Sequence, residues 1–115
     1  MHELSIVEAL IEQVELEVDR AGETGRVARL DLVIGRLSGV NTDSIRFAFQ
    51  MLAAGTRAEG AELAITEPKP TCVCRTCGAR SEIEELVAAC PRCGNRDVFL
   101  EGGQELLLES IELVD

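Results

Sequence analysis

Val7, Leu10, Ile11, Val14 and Val18 recur at steps of three and four residues, while Glu8, Glu12, Glu15 and Asp19 hold the other side. That period predicts an amphipathic helix from Ser5 to about Gly22. Ser5 with Glu8 three residues on has the form of a capping box, and Gly22 and Gly25 supply the stop, so Met1 to Leu4 are expected just ahead of the helix. From Val27 the period changes to two: Ala28, Leu30, Leu32 and Ile34 form an apolar even face, as in a half-buried strand. Ile45, Ala48, Phe49 and Leu52 make a second helical stripe, with Asn41 or Thr42 as its cap and Gly55 at its end. Ala61, Leu63 and Ile65 alternate with polar neighbours until Pro68 and Pro70 forbid further pairing, and Leu107, Ile111 and Leu113 alternate with Ser110 and Glu112 near the carboxyl end. The expected body is α+β: a small sheet of about three strands with two helices on one face.

Between the last two strands the pattern stops and the cysteines begin. Cys72, Cys74, Cys77, Cys90 and Cys93 all fall within one 22-residue window, flanked by Glu67-Pro68-Lys69-Pro70 and by Glu101-Gly102-Gly103. The chain therefore reads as a body formed by residues 1–68 and 102–115, interrupted by an inserted zinc-ribbon-like module at 69–101.

Composition narrows the function. In 115 residues, 21 acidic side chains face 11 basic ones, a net charge of −10 that repels phosphate backbones and anionic lipid faces. Neither nucleic acid nor a membrane is an expected partner. The longest stretch without a charge, Phe47 to Thr56, is far too short to span a bilayer. Glu3, Glu8 and Glu12 interrupt any signal-peptide pattern, so the expected address is cytoplasmic and the thiols are expected to be reduced.

In a reducing compartment, clustered cysteines argue for metal before disulfide. Cys74-Arg75-Thr76-Cys77-Gly78 and Cys90-Pro91-Arg92-Cys93-Gly94 are two CxxCG turns with twelve residues between Cys77 and Cys90. Each turn places two sulfurs on one side of a site, and two turns complete the four thiolates of a tetrahedral zinc. The glycine after each second cysteine suits positive φ and frees backbone amides to point at the sulfurs. A site with four protein ligands has no open position and is structural. Two disulfides, four buried thiols, or a rubredoxin-type iron centre are the alternatives, the last short of an aromatic jacket with only Phe99 in the window. Cys72 is left over and reads as a small buried residue.

The one histidine of the chain is His2. Beside a free α-amino group, whose reference pKa is about 7.7–8.0, its imidazole can close fused chelate rings with the amine and the intervening amide nitrogen. Planar, nitrogen-rich sites of this kind suit nickel(II) or copper(II). No set of nucleophile, base and orienting group accompanies it, so an enzyme is not expected.

Met1-His2-Glu3, the Ile34-Gly35 strand end, Glu59-Gly60-Ala61, and Cys72-x-Cys74-x-x-Cys77 with Cys90-Pro91-x-Cys93 together resemble the HypA/HybF family of hydrogenase nickel-incorporation proteins over nearly the whole chain. The resemblance implies a metallochaperone that binds nickel(II) at its amino terminus and passes it, with a HypB-type GTPase, to the large subunit of a [NiFe] hydrogenase. It also implies the ligands: the Met1 amine, the His2 imidazole and backbone nitrogens of His2 and Glu3 for nickel, and Cys74, Cys77, Cys90 and Cys93 for zinc. A homodimer is compatible with it. Some family members carry further histidines near the zinc module, and this chain has none there; some also serve urease. The competing reading is a zinc-ribbon adaptor that binds a protein partner and no second metal.

Overall fold

The computed structural model describes residues 2–114 and contains two helices and two three-stranded sheets. The body is built from α1 (His2–Arg20), β1 (Val27–Ile34), α2 (Thr42–Leu52), β2 (Glu62–Thr66) and β6 (Leu106–Leu113). Its sheet runs β2-β1-β6, with β2 parallel to β1 across the α2 crossover and β6 antiparallel to it. Val7, Leu10, Val14 and Val18 of α1 and Ile45, Ala48 and Phe49 of α2 pack on Leu30, Leu32 and Ile34 of β1, forming one apolar core. The opposite face of the sheet carries a cluster of charges. There Arg29 lies within 4 Å of Asp31, Glu62 and Glu112, and Ser110 donates its hydroxyl to Asp31.

Three local expectations are corrected. α1 begins at His2, not Ser5, so Ser5 is an exposed interior position and caps nothing. The helix extends backward because Glu3 and Leu4 continue its buried stripe and the Glu3 carboxylate finds a partner in the Asn41 amide. In β1 the inward residue at the start is Val27, not Ala28, because the pairing skips Ala28 between Val27↔Leu113 and Arg29↔Glu112. In β6 the inward residue is Leu108, not Leu107, because the register passes from Ser110 to Leu108 across a bulge at Glu109. One extra residue in a strand turns every later side chain to the other face.

The helix ends follow their local chemistry. Asn41 Oδ1 accepts from the Ser44 amide at 2.9 Å and caps α2, and α1 ends in a turn where Gly22 takes φ 72° and Glu23 donates to the Val18 carbonyl.

The cysteine window forms its own sheet, β4-β3-β5, from β3 (Thr71–Cys74), β4 (Arg80–Glu82) and β5 (Val98–Glu101), all antiparallel. It meets the body at a narrow junction. Gly35, Arg36 and Leu37, just past β1, donate their amides to Glu105, Pro68 and Gly103. The molecule measures 55 × 28 × 17 Å with a radius of gyration of 18.0 Å, against about 13 Å for a compact chain of this length. Among the described residues, no helix is long and apolar enough to cross a membrane.

Candidate metal centre

The two CxxCG segments fold into matching turns. In the first, Gly78 donates to the Cys74 carbonyl and Cys74 to that of Ala79; in the second, Gly94 donates to Cys90 and Cys90 to Asn95. Both turns need a left-handed residue at their end, which Gly78 and Gly94 supply with φ of 76° and 78°. This geometry turns amides toward sulfur: Cys77 N lies 3.4 Å from Cys74 Sγ, Cys93 N 3.4 Å from Cys90 Sγ, and Arg92 N 3.3 Å from the same atom.

β3 carries Cys74 at its end, and the second turn reaches it through the loop that follows β4. All four sulfurs, of Cys74, Cys77, Cys90 and Cys93, lie within 4.8 Å of one another. Cys74 to Cys93 is 3.6 Å and Cys77 to Cys90 is 3.7 Å. A regular tetrahedron with Zn–S bonds of about 2.3 Å has edges of about 3.8 Å, so the sulfurs already stand at zinc's spacing and far outside that of a disulfide. Cys74 and Cys90 are buried, while Cys77 and Cys93 reach the surface.

Proton sharing in the cluster is uneven. Amides of Cys77 and Thr76, with thiols nearby, bring Cys74 down to about 6 against the opposition of burial. Cys90 is lowered in the same way by the Cys93 and Arg92 amides. Cys93 accepts from the Asn95 amide, yet desolvation and the three surrounding sulfurs push it up to about 12. Thiols that divide protons like this have the donor chemistry of a thiolate metal site, in which a dication replaces the shared protons.

Cys72 is outside the group of four. It is buried within β3 opposite Ser81 and Leu100, and burial pushes its thiol up, as suits an inert core residue.

At the other candidate site, Met1 lies outside the described residues. His2 opens α1 with its side chain 66% exposed, and its Nε2 stands 3.2 Å from Glu3 Oε2. The Glu3 side chain, 11% exposed, accepts from the Asn41 amide at 3.3 Å, and that bond first, then its own amide, holds its carboxyl below the usual range. The Asn41 partner was not legible in the sequence, where Asn41 carried only a capping signal.

Residues 1–113 match the family model described as "Hydrogenase/urease nickel incorporation, metallochaperone, hypA". Among curated relatives, Hydrogenase maturation factor HypA of Chlorobaculum tepidum is 43% identical, covering 98% of this chain and 99% of its own, and that of Chlorobium limicola is 41% identical, covering 98% and 97%. The solution structure of the Ni metallochaperone HypA from Helicobacter pylori superposes with a TM-score of 0.65 at 25% identity, covering 99% of this chain and 98% of that one. A second solution structure of a HypA protein gives a TM-score of 0.70, also at 25% identity, covering 99% and 97%. With a four-sulfur site set for zinc beside an α+β body that bears a histidine at residue 2, and with this match along its length, the chain belongs to the HypA family of nickel-incorporation metallochaperones.

Proposed function

We propose that this chain carries nickel(II) on its amino terminus and delivers it to the large subunit of a [NiFe] hydrogenase, working with a HypB-type GTPase in the cytoplasm. It acts as a carrier and not as a catalyst. The nickel ligands are the Met1 amine, the His2 imidazole and backbone nitrogens of His2 and Glu3. The observation that carries this reading is the placement of His2, exposed at the first turn of α1. There the leading amides of a helix have no carbonyl partner within it, so they are open to a metal that displaces their protons.

Cys74, Cys77, Cys90 and Cys93 would hold a zinc ion, which when bound cross-links the two turns and supplies no open position for chemistry. The chain then works as two units, 1–68 with 102–115 for nickel and 69–101 for zinc. The acidic surface suits a carrier that meets cations and basic protein patches; a second copy of the chain is a compatible partner.

A terminal site is easy for a partner to reach, and planar nickel in nitrogen ligands is handed over by replacing one ligand at a time. The test is metal content and nickel titration on tag-free protein, wild type beside His2→Ala, with mass spectrometry showing Met1 retained. One zinc in both proteins, with nickel near one per chain in the wild type alone, is the expected result. Equal, weak nickel binding in both would overturn the amino-terminal site and leave an adaptor organised by zinc.

A further inference from the structure

Among the described residues, Glu3 is the one buried charged side chain, and it stands next to the histidine on which the nickel reading rests. Its Oε2 touches two groups at once. It accepts from the Asn41 amide, at the cap of α2, and it stands 3.2 Å from His2 Nε2, close enough for ring rotation to bring the two into a hydrogen bond. One carboxylate therefore stands between the start of α2 and the imidazole at the start of α1.

Which imidazole nitrogen faces Glu3 matters for the chelate. A metal held by the Met1 amine and the His2 amide nitrogen closes a compact ring through Cα, Cβ and Cγ only at Nδ1, since Nε2 points away from the backbone. Nδ1 must then offer its lone pair, and the ring proton must sit on Nε2. That is the nitrogen that Glu3 addresses. A histidine ligand whose other nitrogen donates to a carboxylate has its tautomer and ring orientation fixed, and is made more basic.

We propose that Glu3 is a positioning residue for nickel: its carboxylate, tied to the Asn41 amide, accepts the His2 Nε2 proton and so holds Nδ1 free toward the metal. This rests on the nickel reading above. The Glu3 backbone nitrogen can serve as a ligand at the same time, because the carboxylate acts through the imidazole and not on the metal.

The experiment is a nickel titration of tag-free wild type, His2→Ala, Glu3→Ala and Glu3→Gln, with ¹⁵N spectra of the imidazole in the metal-free proteins above neutral pH. His2 is the only histidine, so its ring nitrogens need no separate assignment. The wild type is expected to show the proton on Nε2, with the Nδ1–H form growing in Glu3→Ala. Glu3→Ala should bind nickel about ten- to a hundredfold more weakly. Glu3→Gln, whose side-chain oxygen can accept from both Asn41 N and Nε2–H, should keep most of the affinity. If Glu3→Ala does not fold, as judged by its helical circular dichroism, Glu3→Met replaces it with an unbranched apolar chain that keeps the packing. Wild-type nickel affinity in Glu3→Ala, or in Glu3→Met where that replaces it, or an unchanged tautomer ratio there, overturns the proposal and leaves the nickel reading standing. Equal losses in Glu3→Gln and Glu3→Ala also overturn it, by making the carboxylate itself the ligand. Wild type no better than His2→Ala overturns the nickel reading instead.

Discussion

A Cβ built on Gly35 falls onto the carbonyl of Gly103, and one built on Gly103, at φ 82°, comes within 2.9 Å of Pro70 Cβ. Two backbones and a proline ring thus meet without room for a side chain at the point where body and zinc module join. Gly35→Ala must displace main chain, and overpacking of this kind costs about 1–3 kcal/mol. Gly25→Ala is the control: it has no positive φ and meets the Val114 carbonyl at 3.6 Å, an ordinary contact, so its expected effect is within about 0.5 kcal/mol. Urea unfolding of both variants checks the difference, and equal midpoints would show that the junction yields freely. At this scale the sequence was informative where chemistry fixes spacing. Cys74, Cys77, Cys90 and Cys93 could be grouped because a tetrahedral site needs two pairs, and the glycines after them follow from the turn. The burial of Glu3 was not legible, because its partner, the Asn41 amide, lies 38 residues away and belongs to the backbone.

Elements were legible in proportion to how much core they bury. α1, α2 and β1 each present several apolar residues at one period, and each formed close to where the period placed it. The two bulges, at Ala28 and Glu109, escaped because a skipped residue changes the facing without changing composition. β3, β4 and β5 have four, three and four residues, too few to show any period. Such short strands bury little. Pro70, Cys72, Cys74, Ile83 and Cys90 are the module's buried apolar residues, and four sulfurs at zinc's spacing replace a core. Removing the metal is therefore expected to melt β3–β5 and spare the body, whose apolar cluster owes nothing to the cysteines. Amide hydrogen exchange with and without a strong chelator checks this: protection should vanish over 71–101 and persist in α1 and β1. Loss of protection in both would mean that the body depends on the zinc module for its fold.

The whole molecule is held in its extended form by few bonds, and Glu84 supplies two of them. From the loop after β4 its carboxylate reaches Arg36 of the body at 2.6 Å and Lys69, in the segment that leads from β2 into β3, at 2.6 Å. Lys69 first, then Arg36, holds the Glu84 carboxyl below its ordinary range. A carboxyl lowered in the folded state stabilises that state above the ordinary carboxyl pKa of about 4.3, and the contribution is lost as pH falls through the lowered value. Glu84 is 64% exposed and Arg36 40%, so salt screens the clamp and its effect on global stability is small. Its effect belongs to orientation, because the same loop after β1 that gives Arg36 to Glu84 goes on to give the Asn41 amide to Glu3. Glu84→Gln at neutral pH removes the clamp's charge and leaves the thiolates untouched: the melting temperature should barely move, while ¹⁵N relaxation shows the zinc module tumbling more independently of the body. High salt should reproduce the effect in the wild type and add little in the variant. Identical relaxation in wild type and Glu84→Gln would mean that the glycine–proline junction alone sets how the two sheets are held.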